Sequence, residues 1–243
     1  MKKLMYLIVA IVILGLIVSG CIPVVPPTEQ GELGSQTKDS GTVTVQLLDS
    51  SNNGIVGGVV QYYSSGWQTF GTTGTDGKVS KDLPDGTYSF QMTYVGASMQ
   101  KSQNVASDPD VVFNTTLVTM ELLDSTGAAL AGGAEYYASG WKTFGSGKTT
   151  TTMELLPVSY AFRVSYAGAS MQKSQNVSSE PEVVFNTAQV HSVTNTCTQY
   201  YASGWKTFTQ DMELLPGNYA FLFNDGTPQT SSTIVAGTVN NIH

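Results

Sequence analysis

An all-β chain, built as tandem small antiparallel β-sandwich repeats behind an N-terminal export segment, is the fold class that this sequence predicts. Three observations predict it. Long blocks of sequence recur: GASMQKSQNV stands at Gly96–Val105 and again at Gly168–Val177. Inside each block apolar and polar residues alternate with period two, the mark of a strand with one face in a core and one in water. Turn residues separate the alternating runs, and after residue 40 no stretch has helical periodicity.

The first element is the export segment. Met1–Cys21 reads MKKLMYLIVAIVILGLIVSGC, with Lys2 and Lys3 as a short basic start and Leu4–Val18 as an apolar run. Such a segment is a targeting element and takes no part in the fold. Its end, Val18-Ser19-Gly20-Cys21, resembles a lipobox, where prokaryotic signal peptidases cut before a lipid-bearing cysteine. That resemblance implies a signal peptide over 1–20 and lipidation of the Cys21 thiol. The competing reading is an uncleaved transmembrane anchor, since the run approaches the length of a membrane span, roughly 17 residues at the least. On either reading the rest of the chain lies on the extracytoplasmic side. Residues 21–40 then form a linker: Pro23, Pro26 and Pro27 stiffen its first part, and its remainder is polar and flexible.

Self-comparison places the repeats at about 41–116, 117–188 and 189–243. YYSSGWQTF (Tyr62–Phe70), YYASGWKTF (Tyr136–Phe144) and YYASGWKTF (Tyr200–Phe208) recur, as do MELLPVSYAF (Met153–Phe162) and MELLPGNYAF (Met212–Phe221). Strands are predicted in the first repeat near 42–49, 57–63, 67–72, 78–83, 86–95, 99–105 and 110–115. The third repeat is eight residues shorter than the second before its Tyr pair, and five shorter between Trp205 and Met212. Both losses are placed in hairpin loops, where deletion is best tolerated.

The turns carry a family resemblance. Gly74-Thr75-Asp76-Gly77-Lys78-Val79, followed by Leu83-Pro84-Asp85-Gly86-Thr87-Tyr88-Ser89-Phe90, resembles the turn pattern of prealbumin-like, Ig-like sandwich domains. That group includes the carboxypeptidase regulatory-like domain and the B-type repeats of collagen adhesins. The resemblance implies the two-sheet fold and an adhesive role. The second repeat departs from it: Thr149–Thr152 replaces the Asp-Gly turn, and Val158 stands where Gly86 and Gly217 do. Gly86 is nonetheless expected at a positive φ angle. B-type repeats often carry a Lys–Asn crosslink with the lysine in the first strand. Here Thr42–Leu48 and Val118–Leu123 hold no lysine, so none is expected.

Composition excludes several functions. The formal charge is −7, and removing Met1–Gly20 with its two lysines takes it to −9. Nucleic acid and anionic lipid both need a basic surface, so neither is an expected partner. The two histidines, His191 and His243, have no recognisable catalytic partners, and no catalytic, metal or cofactor site is predicted. With Cys21 lipidated, Cys197 has no partner in the chain. Asp49, Asn52, Asn53 and Asp76 admit a calcium reading but lack its spacing, and turns account for them.

The repeated aromatic segment holds the candidate ligand platform: Tyr63, Trp67, Tyr137, Trp141, Tyr201 and Trp205. Alternation turns the second Tyr of each pair outward and the first inward. Aromatic rings in small sandwiches mostly pack, so the tryptophans are expected in the core. Exposed tryptophans would instead favour sugar stacking. The resulting expectation is a lipid-anchored envelope protein, a spacer or adhesin held by a lipid on Cys21 and facing a surface protein or glycan. The alternative is an array of carbohydrate-binding modules, and an enzyme ranks last.

Overall fold

The computed structural model describes residues 39–148, 150–225 and 229–243. The signal segment, Cys21 and the linker up to residue 38 lie outside the described residues, and Ser40, the linker's last residue, already begins the first strand. The first repeat contains seven strands: β1 (Ser40–Leu48), β2 (Val59–Tyr63), β3 (Trp67–Thr72), β4 (Lys78–Pro84), β5 (Thr87–Tyr94), β6 (Ala97–Asn104) and β7 (Asp110–Asn114). They form a three-stranded sheet, β4-β1-β7, and a four-stranded sheet, β3-β2-β5-β6. The second repeat runs β8 (Thr116–Leu123), β9 (Gly132–Tyr137), β10 (Trp141–Lys148), β11 (Thr150–Leu155), β12 (Ser159–Tyr166), β13 (Ala169–Asn176) and β14 (Glu182–Asn186). Its sheets, β11-β8-β14 and β10-β9-β12-β13, repeat the same order. Each repeat is thus the two-sheet sandwich that its alternation and turns predict. One pairing differs from the antiparallel rule: the first and last strands of each repeat run parallel, as β1 does beside β7 and β8 beside β14.

Alternation explains each core. Val43, Val45 and Leu47 on β1 face Phe90 and Met92 on β5, and all five are buried. Full burial of such side chains contributes about 1.5–3 kcal/mol each. The first Tyr of each pair packs inside, edge-on to a phenylalanine on or just after the next strand: Tyr136 lies 6.1 Å from Phe144 and Tyr200 lies 6.4 Å from Phe208.

The third repeat keeps the pattern on shorter strands: β15 (Ala188–Ser192), β16 (Cys197–Tyr201), β17 (Trp205–Thr207), β18 (Asp211–Leu214), β19 (Gly217–Phe223), β20 (Thr230–Ile234) and β21 (Asn240–Ile242). The two deletions therefore consume strand ends as well as loops. The sandwich survives because Val190, Tyr219, Phe221 and Ile234 still close a core.

The repeats are not independent beads. Leu156, which follows β11 of the second repeat, is fully buried in the core of the first. Leu215, at the matching place in the third, is buried in the core of the second. In return, Val95 and Ala97 of the first repeat pack on the core of the second, and Ala167 and Ala169 of the second on that of the third. Polar bonds repeat with the same spacing. The Tyr136 hydroxyl donates to the Val95 carbonyl (3.1 Å), and the Tyr200 hydroxyl to the Ala167 carbonyl (2.9 Å). Glu154 accepts from the Ser50 N–H at 3.2 Å and from the hydroxyls of Ser50 and Thr115. Glu213 accepts likewise from Ser125 and from Thr187.

The first repeat is built differently at this position. Exposed Pro84 stands where Leu156 and Leu215 are buried, and Asp82 replaces the glutamate and accepts from Thr42 of its own sheet (2.7 Å).

The turns correct one expectation. Gly86 does not have a positive φ. Val158 at the matching place in the second repeat does not have one either, while Gly217 in the third has φ +156°, close to extended backbone. The left-handed position is Gly77 of the Asp76-Gly77 turn, with φ +75°.

Candidate functional site

Strand register decides where the tryptophans go. Tyr63 at the end of β2 pairs directly with Trp67 at the start of β3. Directly opposed residues share a face. Tyr63 points to water, so Trp67 does too. The expectation that the tryptophans fill the cores is overturned: Trp67 is 39% exposed and Trp205 43%, and Trp141 is partly exposed. The outward placing of the second Tyr holds in all three repeats, with Tyr63, Tyr137 and Tyr201 each about half exposed. The core rings at this level are Tyr136 and Tyr200, Phe70, Phe144 and Phe208, one residue out of phase with the exposed pair.

Each exposed pair has the same geometry. Ring centroids are 5.6 Å apart in Tyr63–Trp67 and 5.5 Å apart in Tyr137–Trp141 and Tyr201–Trp205, with an interplanar angle of 77° in every case. This edge-to-face arrangement holds each indole upright on the sheet by its tyrosine. The hairpin between the two rings enforces it: Ser65, Ser139 and Ser203 adopt φ of 55–57° and are followed by glycine.

The surface around each pair is polar but almost uncharged. Across the first repeat one rung reads Trp67, Tyr63, Ser89, Ser102, and the next reads Thr69, Gln61, Gln91, Gln100. In the second repeat the matching rungs are Trp141, Tyr137, Ala161, Ser174 and Thr143, Glu135, Arg163, Gln172. Glu135 and Arg163 neutralise each other at 2.7 Å, and the Arg163 guanidinium also lies 4.1 Å over the Trp141 ring. One face of that indole is therefore covered. In the third repeat Gln199 and Leu222 take the places of the ion pair, and Trp205 has no arginine over it.

At the joint between the second and third repeats the surface becomes concave. A groove of about 330 Å³ is lined by Gly168, Ala169 and Ser170 on one side, by Tyr201, Ala202 and Ser203 on the other, and by Pro216–Tyr219. Sequence reading picked out Tyr201 but missed its partners: Gly168–Ser170 and Pro216–Tyr219 lie in recurring blocks, and only the contact between repeats brings them together.

The other candidates resolve into structural roles. Asp49 accepts from the N–H groups of Ser51 and Asn53 (2.8 Å each) and from the Asn53 side chain, closing the turn after β1. Asp124 does the same for Thr126 and Ala128. Both carboxyls are held below their usual range, first by a side-chain bond from Asn53 or Thr126. Their lowered pKa means that the turns are intact at neutral pH and weaken as pH falls through it. His191 Nδ1 lies 2.7 Å from Asp211, its neighbour across the β15–β18 pair. Cys197 is buried and in no disulfide, its thiol donates to the Gln199 carbonyl (3.6 Å), and burial pushes that thiol up to about 11, which keeps it protonated and unreactive. Among the described residues no three His, Cys, Asp or Glu side chains come together as metal ligands would.

No family model matches the chain, and no curated protein matches it. Among solved structures it is similar to the Bacillus anthracis TIE protein, at 13% identity over 83% of this chain and 49% of that one, with a TM-score of 0.27. It is also similar to BcpA, the major pilin subunit of Bacillus cereus, at 11% identity over 84% of this chain and 99% of that one, with a TM-score of 0.28. A third is fervidolysin from Fervidobacterium pennivorans, a keratinolytic enzyme related to subtilisin, at 12% identity over 84% and 30% and a TM-score of 0.29. The chain spans about half the length of the TIE protein. The sandwich assignment itself rests on the strands and sheets described above.

Proposed function

We propose that this chain is a lipid-anchored protein of the extracytoplasmic surface, a stiff spacer that presents three aromatic contact sites of one ring geometry, and so an adhesin rather than an enzyme. The observation that carries this reading is the exposed Tyr–Trp pair, held in one geometry at one place on three interlocked sandwiches. A solitary exposed ring needs no explanation, whereas three equivalent pairs on joined repeats form an array. Arrays convert weak single contacts into strong attachment through effective concentration. The joints favour it further, because side chains exchanged between cores keep neighbouring sites at a fixed spacing. The lipobox ending in Cys21 supports the anchor, and the proline-bearing linker supports a body held away from the bilayer.

Expression of the full chain in a prokaryotic host with radiolabelled palmitate tests the anchor and the placement together. The wild type is expected to carry label, to sediment with membranes and to lose its sandwiches to protease added outside the cell membrane. Cys21→Ser is expected to remain an unlabelled precursor. An unmodified Cys21 in the mature chain, or sandwiches protected from external protease, would contradict the reading.

A further inference from the structure

We propose that the groove at the joint of the second and third repeats binds one ring of a neutral, hydroxyl-rich polysaccharide, stacked on Tyr201. The inference rests on the adhesive reading and names its ligand class. Three observations carry it. The groove has the volume of a small-molecule site, for which about 300 Å³ is the lower end. Its lining has no ionisable group that is charged at neutral pH, although the chain carries 18 acidic and 11 basic residues. A charged ligand would lose its hydration there against a lining that supplies no counter-charge, the nearest cation being Lys206, whose stem lies over Gly168 at the edge of the groove. The polar groups that do line it include hydroxyls and an amide, on Ser170, Ser203 and Asn218, which can both donate and accept as sugar hydroxyls require, the Ser170 hydroxyl keeping one bond to that of Ser165 (3.0 Å).

The site belongs to the joint. Tyr201 and Asn218 come from the third repeat and Ser170 from the second, so neither repeat contains the groove alone. Asn218 is fixed in place, since its amide oxygen accepts from Thr233 (2.6 Å), and the opposite end of the amide is left to donate. Gly217 adds space: a β-carbon there would meet nothing nearer than Tyr219 at 3.7 Å. At the first joint Val158 stands in that place, and Ser159 replaces Asn218. The two joints are therefore not equal, and the second is the primary site. The neighbouring rungs extend the same uncharged surface from the groove towards Trp205, which suits a chain of sugars better than a single one.

The test uses the full chain in a detergent without a sugar headgroup, titrated calorimetrically with maltohexaose, cellohexaose and chitohexaose as neutral probes. Polygalacturonate serves as the acidic control, and immobilised collagen as a protein surface. At least one neutral hexamer is expected to bind. Tyr201→Ala should weaken it roughly tenfold, as loss of a stacking ring does. Val56→Ala, exposed in the first repeat and outside every aromatic pair, should change it less than about threefold. Binding of polygalacturonate alone, or neutral-sugar binding indifferent to Tyr201→Ala, would overturn the assignment. Tyr201-dependent binding to collagen without any sugar binding would overturn the ligand class and leave the adhesive reading standing. Binding to none of the probes would overturn both.

Discussion

Leu156→Ala is expected to destabilise the first repeat, although the residue belongs to the sequence of the second. Leu156 is fully buried among Val43, Phe90, Phe113 and their neighbours, none of which is its own. Truncating a buried leucine costs about 2–5 kcal/mol through lost transfer energy and the cavity left behind. A sandwich of this size has only about 5–15 kcal/mol in hand. Hydrogen exchange read by mass spectrometry separates the outcomes. Amides of β1, β5 and β7 should lose protection, while those of β12 and β19 keep theirs. Loss confined to the second repeat would show that Leu156 serves its own core and that the joint is not an exchange of side chains.

Gly96→Val is expected to prise the first joint apart. Gly96 has φ +95°, a conformation that costs a branched residue about 1–3 kcal/mol. A β-carbon there would also lie 2.6 Å from the Ala138 carbonyl oxygen and 2.8 Å from Lys142 Cε, both in the next repeat. Backbone cannot yield cheaply, so the repeats must separate. The Tyr136–Val95 and Ser139–Gly96 hydrogen bonds, each 3.1 Å, would go with them. Small-angle scattering should show a longer or more variable particle with each sandwich still folded. An unchanged scattering profile would mean that the joint accommodates a side chain and is looser than its contacts imply.

Much of this architecture was legible in the residues. Period-two alternation placed Val43, Val45 and Leu47 in a core, and turn chemistry bounded nearly every strand of the first repeat to within two residues. The parallel pairing of β1 with β7 was not legible, because alternation reports a strand's faces and not its neighbours. The joint left a faint trace: the second and third repeats read Glu-Leu-Leu-Pro where the first reads Asp-Leu-Pro. That extra leucine is the plug, and only contact between repeats reveals it. The tryptophans were misjudged because ring size argued for burial. Register argued otherwise, and it overrides size: a residue paired directly across from an outward tyrosine faces outward. Gly86 was misjudged by a similar route, since its turn resembles one that needs a left-handed residue, while Val158 in the same place already showed that it does not.

Acrylamide quenching of tryptophan fluorescence in the folded full chain tests the central claim most directly. The chain has three tryptophans, and each belongs to one exposed pair, so the signal reports on these sites and nothing else. The account predicts emission typical of water-exposed indole, readily quenched in the native state at Trp67 and Trp205 and less at Trp141 under Arg163, with Trp67→Ala costing about 1 kcal/mol or less. Shielded, blue-shifted emission that acrylamide reaches only after denaturation, with Trp67→Ala costing the ~3–5 kcal/mol of a core ring, would contradict it.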